Sequence, residues 1–306
     1  MATYRNHRGR TMGLPALLLA GLVGQAQAIT YSADIENSRW FDTGSIFECS
    51  LTHQIPGYGS AVFYQRAGES LSFYLDPVHN NMRPGRAALV IEAPQWRGGQ
   101  AVMDLGYVEV QDQAKPVTLS RSHSENMLAG LGEGMAPTFT RKARYSDTPV
   151  RVRLSNVNFR ERYQQFRQCT QSLLPVNFDQ VKRTRVLFDV DQYELKPEYK
   201  EELDKVALYI KADERVQAIY VDGHTDPQGR RIYNRRLSRE RAQAVTEYLA
   251  SQGVPEERIS TRYHGERYPV AREGATYEDD RRATVRLERT DDQGRTRADA
   301  GAVIID

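Results

Sequence analysis

The sequence predicts an α+β fold: a mostly antiparallel β domain at the N-terminus, then a βαβαβ domain with a mixed sheet. Three changes of pattern predict it. Up to about residue 156, short apolar runs alternate with turn residues such as Pro56-Gly57, Pro84-Gly85, Pro94 and Gly98-Gly99. From Phe159 the apolar spacing turns helical until Leu174-Pro175 breaks it. From about Val181, strand and helix patterns alternate. The layout is a signal peptide over residues 1–28, a β-rich domain over 29–176, an α/β domain over 181–290 and a flexible tail over 291–306.

The signal peptide rests on Arg5, His7, Arg8 and Arg10, an apolar run from Met12 to Gly24, and the small-x-small site Ala26-Gln27-Ala28. The run is about 13 residues, against the roughly 20 that span a bilayer. No cysteine closely follows the cleavage site, which argues against a lipid anchor. Export of a soluble mature chain is the expectation. Cleavage removes three arginines and no acid, so 39 basic residues face 40 acidic ones, a net charge of −1. Such a balance asks for neither nucleic acid nor a membrane surface. Cys49 and Cys169 are the two cysteines. In an oxidising compartment the pair reads as a disulfide, with two buried free thiols as the other reading. Closing a loop of about 120 residues contributes roughly 4–5 kcal/mol on the chain-entropy account.

In the first domain Ala61–Tyr64 and Leu71–Leu75 flank a turn at Arg66-Ala67-Gly68-Glu69, and the second run alternates as a half-buried strand does. Ala87–Ile91, Tyr107–Val110, Val117–Leu119 and Val150–Leu154 follow, which suggests a barrel or sandwich. Phe159, Tyr163, Phe166, Thr170 and Leu173 then share a helical face beside Cys169, so a Cys49–Cys169 bridge would staple an early strand to this helix. In the second domain, Arg185–Val190 reads as a strand. Pro197 opens a helix with Leu203, Val206, Ala207 and Ile210 on one face. Val216–Val221 is a strand, Arg236–Gln252 a helix stopped at Gly253, and Arg258–Tyr263 a third strand. Arg282–Arg289 is the last, with Ala283, Val285 and Leu287 inward against Arg282, Thr284 and Arg286 outward.

The chemistry gathers at Gly223-His224-Thr225-Asp226 and in the helix after it. Asp226 leaves a strand into Pro227-Gln228-Gly229, a turn that exposes backbone to a ligand. Arg241 lies fifteen residues on and offers a planar fork for a carboxylate. Asn234, donor and acceptor at once, can bridge the two. The set would complement a zwitterion, amine to Asp226 and carboxylate to Arg241. A plain Asp226–Arg241 salt bridge tying turn to helix accounts for the same spacing equally well.

Several separated motifs here resemble the C-terminal domain family of OmpA. They are Phe188-Asp189-Val190-Asp191, Leu195-Lys196-Pro197, Gly223-His224-Thr225-Asp226, Tyr233-Asn234-x-x-Leu237-Ser238-x-x-Arg241-Ala242, Gly253-Val254-Pro255-x-x-Arg258-Ile259 and Asp280-Arg281-Arg282. The resemblance covers about 110 residues and implies periplasmic, non-covalent binding of peptidoglycan through the diaminopimelate of its stem peptide. It assigns the two charges of that residue to Asp226 and Arg241, hydrogen bonds to Asn234 and Arg281, and a further polar contact to Asp191. Asp280 stands where the family commonly has Asn and Ala283 where it has a larger aliphatic, and an added negative charge at the rim would weaken binding. In the first domain Phe47-Glu48-Cys49-x-Leu51-x-His53-x-Ile55-Pro56, Ala61-Val62-Phe63-x-x-Arg66-Ala67 and Pro94-x-Trp96-Arg97-x-Gly99 resemble the MotY family of flagellar-motor proteins. This implies a periplasmic ring component at the flagellar basal body and outer membrane. Its first domain would meet MotX and the basal body, and its second would hold the wall and so help stator complexes assemble. Trp96 and Arg97 suit an interface by composition, with a core or turn role equally open for Trp96. The other reading is a generic OmpA-like tether of outer membrane to wall.

Catalysis is not expected, and neither is a cofactor or a metal. His53, His79, His123, His224 and His264 show no His-x-x-x-His spacing, and there is no nucleophile elbow or phosphate loop. His224 reads as hydrogen-bonded scaffold at a strand end. Glu201-Glu202 and Asp279-Asp280 read as solvated helix faces.

Overall fold

The computed structural model describes residue 1 and residues 28–94, 102–270 and 274–290. The apolar run of the expected leader, Trp96, Arg97 and the tail from residue 291 lie outside the described residues.

Alternation builds the first half. Strands β1 (Ile29–Tyr31), β2 (Arg39–Gly44), β3 (Glu48–Ile55), β4 (Gly59–Arg66) and β5 (Ser72–Pro77) come first. They are followed by β6 (Gly85–Glu92), β7 (Met103–Val110), β8 (Thr118–Leu119), helix α1 (Arg121–Gly132), β9 (Ala136–Lys142), β10 (Pro149–Arg153) and helix α2 (Phe159–Gln171). One five-stranded sheet runs β2-β3-β4-β5-β8 as an antiparallel meander, and another runs β1-β10-β9-β6-β7. The second is antiparallel except where β1 joins β10.

On β3 every second residue, Cys49, Leu51, His53 and Ile55, is buried, and Ala87, Leu89 and Ile91 repeat this on β6. The two inner faces share one core. An aromatic file crosses it: Trp40 stacks on His53, Phe63 meets Phe73 at a tilt of 58°, and Phe73 stacks on Phe139 of the opposite sheet at 5.7 Å. His53 is fully buried, and its two ring nitrogens face Arg39 O and Ser155 N–H, each at 3.1 Å. That pattern requires a neutral ring with the proton on Nδ1. Cys49 and Cys169 form a disulfide with Cα atoms 6.0 Å apart, joining β3 to α2. Helix α1 falls where the sequence reading expected only β structure; it buries Ser124, Met127, Leu128 and Leu131.

A short helix α3 (Phe178–Val181) begins the second half. Asn177 and Gln180 cap it reciprocally, and the same side chains reach back into the first half. Asn177 donates to Ala67 O and Gln180 to Gly68 O, while Arg66 pairs with Asp179 at 2.8 Å. Phe47 leans on Tyr209 at 5.8 Å, so the first half also touches the second core.

Then come β11 (Arg183–Leu187), α4 (Pro197–Ala212), β12 (Val216–Gly223), α5 (Arg231–Ser251), β13 (Ile259–Tyr263), α6 (Tyr277–Asp280) and β14 (Arg282–Arg289). The sheet order is β11-β14-β12-β13; β12 and β13 are parallel, and β14 is antiparallel to both of its neighbours. This is the mixed sheet that the sequence predicts. Helix α5 begins five residues before the expected Arg236, which brings Asn234 onto the helix. Arg282 is 9% exposed rather than outward-facing, because it donates to Tyr268 O and lies beside Asp280. No described helix is long and apolar enough to cross a membrane.

Candidate peptidoglycan-binding site

Two chain reversals at one end of the mixed sheet make the site: the segment after β11 and the turn after β12. They meet at the first turns of α5. Gly223 lets this happen, because a Cβ there would run into the carbonyl of Ser238 on α5. Strand end and helix therefore approach backbone to backbone. Ser238 completes the joint by accepting from Gly265 N.

Arg241 is 0% exposed and its guanidinium acts as a three-way clasp. Nε donates to Gln192 O at 2.9 Å, Nη1 to His224 O at 3.0 Å and Nη2 to Asp189 O at 3.1 Å. The plane sits 5.2 Å from the Phe188 ring. These bonds tie the segment after β11 to the turn after β12. With five N–H groups on a guanidinium, one N–H on each terminal nitrogen is left over for the cavity that Arg241 lines. Burial pushes its pKa down to about 10, opposed by Asp226 and reinforced by Arg281, so it stays charged at neutral pH.

Asp226 is 8% exposed. Its Oδ1 accepts from Gln228 N at 3.1 Å, which shapes the turn, and its Oδ2 faces Arg281 Nη1 at 3.3 Å. The Asp226–Arg241 salt bridge that the spacing also allowed is not among these bonds: Arg281 takes that place, and backbone carbonyls occupy the Arg241 fork. The contact to Arg281 is long for a charge-assisted bond, leaving the carboxylate open to a better donor. Asn234 donates to Asp226 O at 3.4 Å, and Arg281 Nε to Phe188 O at 3.2 Å. Asp191 has φ +56°, a left-handed conformation that Asp tolerates, and lies exposed at the mouth.

Asp191, Asp226, Asn234, Arg241 and Arg281 all line a single cavity of about 390 Å³. Thr225, Tyr233 and Arg230 line it too and were missed as site residues. The Thr225 hydroxyl is buried with no hydrogen-bond partner, a feature that only coordinates can reveal. Two carboxylates and three guanidiniums give the cavity both signs of charge, which suits a zwitterion carrying an extra carboxylate.

Three expectations are corrected here. Asp280 does not sit at the cavity rim; it is 6% exposed, accepts from Val270 N at 2.7 Å and pairs with Arg282. Its neighbour Asp279 caps α6 and pairs with Arg185, so neither acid is a solvated face. His224 is scaffold by stacking rather than by hydrogen bonding. Its ring lies 5.0 Å from His264, Nδ1 has no partner, and burial pushes its pKa down to about 3. His264 is itself held by Asp222 at 2.7 Å. Among the described residues no cluster of three His, Cys, Asp or Glu side chains could hold a metal ion.

Residues 31–175 match the MotY N-terminal domain family and residues 187–283 the OmpA family. The sodium-type flagellar protein MotY of Vibrio parahaemolyticus is 28% identical over 286 residues, 92% of this chain and 97% of that protein. Outer membrane protein A of Shimwellia blattae is 39% identical over 89 residues, 29% of this chain and 37% of that protein. Among solved structures, the peptidoglycan-associated lipoprotein of Burkholderia pseudomallei is 31% identical over 34% of this chain and 88% of its own, with a TM-score of 0.32. The chain is thus a MotY N-terminal domain followed by a domain of the OmpA family.

Proposed function

We propose that this chain is a periplasmic structural component of the flagellar motor that anchors a basal-body ring to peptidoglycan and supports stator assembly. The observation that carries the reading is the 390 Å³ cavity, which gathers Asp226, Arg241, Asn234, Arg281 and Asp191 at one mouth. A diaminopimelate head group would place its ammonium on Asp226, displacing the long Arg281 contact. Its carboxylate would take the remaining N–H groups of Arg241 and Arg281. Arg241 is preorganised for this by its three carbonyl bonds, so little ordering entropy is lost on binding. Similarity to a flagellar protein along almost the entire chain supports the motor setting over a generic tether between outer membrane and wall. In this reading the first domain meets MotX and the basal body, and stators are reached indirectly.

The test is a strain carrying Asp226→Asn in place of the native protein. Loss of swimming with an intact envelope, together with weakened sacculus binding by the purified variant, supports the reading. Leaking cells that still swim contradict it.

A further inference from the structure

The cavity does not end the positive surface of the second domain. Arg230 lines it, and Arg231, Arg235 and Arg239 follow along α5 at intervals of four residues. Buried Asn234, Leu237, Ser238 and Arg241 mark the inner face of the helix. At 100° per residue, the three arginines fall within an 80° outward stripe, spanning roughly 12 Å of the axis. All three are exposed, and no ion pair is found for any of them among the described residues. Arg236 beside them is paired with Glu240 at 3.6 Å, so the one acid between Arg230 and Arg241 along the chain is already committed. The loop after β13 carries exposed Arg267, and its Gly265 lies against the backbone of Arg235.

This placement works against the helix. Like charges four residues apart repel, and cations at the first turn oppose the helix dipole, where α5 has no acid at all. Among the described residues only Arg235 of the three has a local partner, its guanidinium lying 5.6 Å from the centre of the Tyr263 ring, and that contact leaves its charge unneutralised. An external polyanion would relieve both penalties. We infer that Arg231, Arg235 and Arg239 form an electrostatic docking ridge for the carboxylates of neighbouring stem peptides of the wall polymer whose head group enters the cavity. The inference rests on the wall-binding reading, because it takes its polyanion from the same polymer. Arg230 makes the ridge continuous with the cavity mouth. The ridge adds avidity over a sheet of repeating acids that no single stem peptide supplies.

The test uses the full mature chain and its Arg231→Gln/Arg235→Gln/Arg239→Gln variant, which keeps helix-forming, exposed side chains. Binding to isolated sacculi is measured at about 50 and 200 mM KCl, where exposed charge contacts are screened differently. The ridge predicts roughly tenfold weaker sacculus binding by the variant at low salt, with most of the salt dependence gone. It also predicts unchanged binding of a soluble monomeric stem-peptide fragment. Asp226→Asn should do the reverse, losing the fragment while keeping the salt dependence. If wild-type protein ignores the fragment but the variant still loses salt-dependent sacculus binding, the cavity reading fails and the ridge stands. Equal salt dependence of wild type and variant overturns the ridge. So does a variant that binds sacculi normally but loses binding to phosphatidylglycerol vesicles, which would make the stripe a membrane surface.

Discussion

Arg241 both lines the cavity and acts as its keystone. Its three carbonyl partners lie on two segments, so Arg241→Ala leaves three acceptors without donors and opens the floor of the cavity. At about 1–3 kcal/mol for each orphaned group, thermal unfolding of the second domain should register at least about 3 kcal/mol of lost stability. An Arg241→Ala protein that melts like wild type would show that the clasp is dispensable. The buried histidines carry a second consequence. Burial holds the His53 pKa down to about 4 and that of His224 to about 3, against 6.5 in the unfolded chain. The fold keeps both rings neutral while the unfolded chain takes up protons below pH 6.5. Stability is thus full above pH 6.5 and falls as pH drops towards 4 and 3. Within that window each ring contributes a slope of about 1.4 kcal/mol per pH unit. Denaturant titrations between pH 6 and 4.5 should show this slope, and His53→Gln should reduce it by about half.

At the scale of elements, what was legible followed periodicity. The apolar face of α4, the inward Ala283, Val285 and Leu287 of β14 and the β-rich first half are all carried by apolar spacing. Helix α1 was not legible, because its inner face includes Ser124 and its last turn includes Gly130 and Gly132, which dilute the helical signal. Gly130 is there for packing: a Cβ would press into the Ile91 side chain at 2.6 Å. The start of α5 was hidden by the stretch from Arg230 to Arg236, whose apolar Ile232 and Tyr233 are exposed and whose buried member, Asn234, is polar. The motif named the five cavity residues but not their wiring. That Arg281 rather than Arg241 faces Asp226 depends on how β14 is threaded between β11 and β12, which no local spacing encodes. Gly223 is where element packing and site meet. Gly223→Ala pushes α5 away from β12 and should cost about 1–3 kcal/mol, with loss of ligand binding even where the fold survives. Wild-type stability and sacculus binding in that variant would show that the close approach is unnecessary.

Across the whole molecule, the OmpA-family domain and the β-rich first domain are joined by a short capped helix whose polar side chains reach both. Asn177, Gln180 and the Arg66–Asp179 pair make the junction specific, and Phe47 against Tyr209 makes it partly apolar. The disulfide closes 120 residues of chain, so Cys49→Ser should destabilise the first domain by about 2–5 kcal/mol. Reduction of the native protein should match it, and an unchanged melting temperature in both would contradict that role. If the cavity grips a zwitterionic head group through Asp226, removing that charge weakens the grip, which is read from equilibrium binding of purified Asp226→Asn protein to isolated sacculi. Asn retains the oxygen that accepts from Gln228 N and removes only the charge, so the variant should fold and bind with affinity lower by about ten- to a hundredfold. Affinity equal to wild type would contradict it.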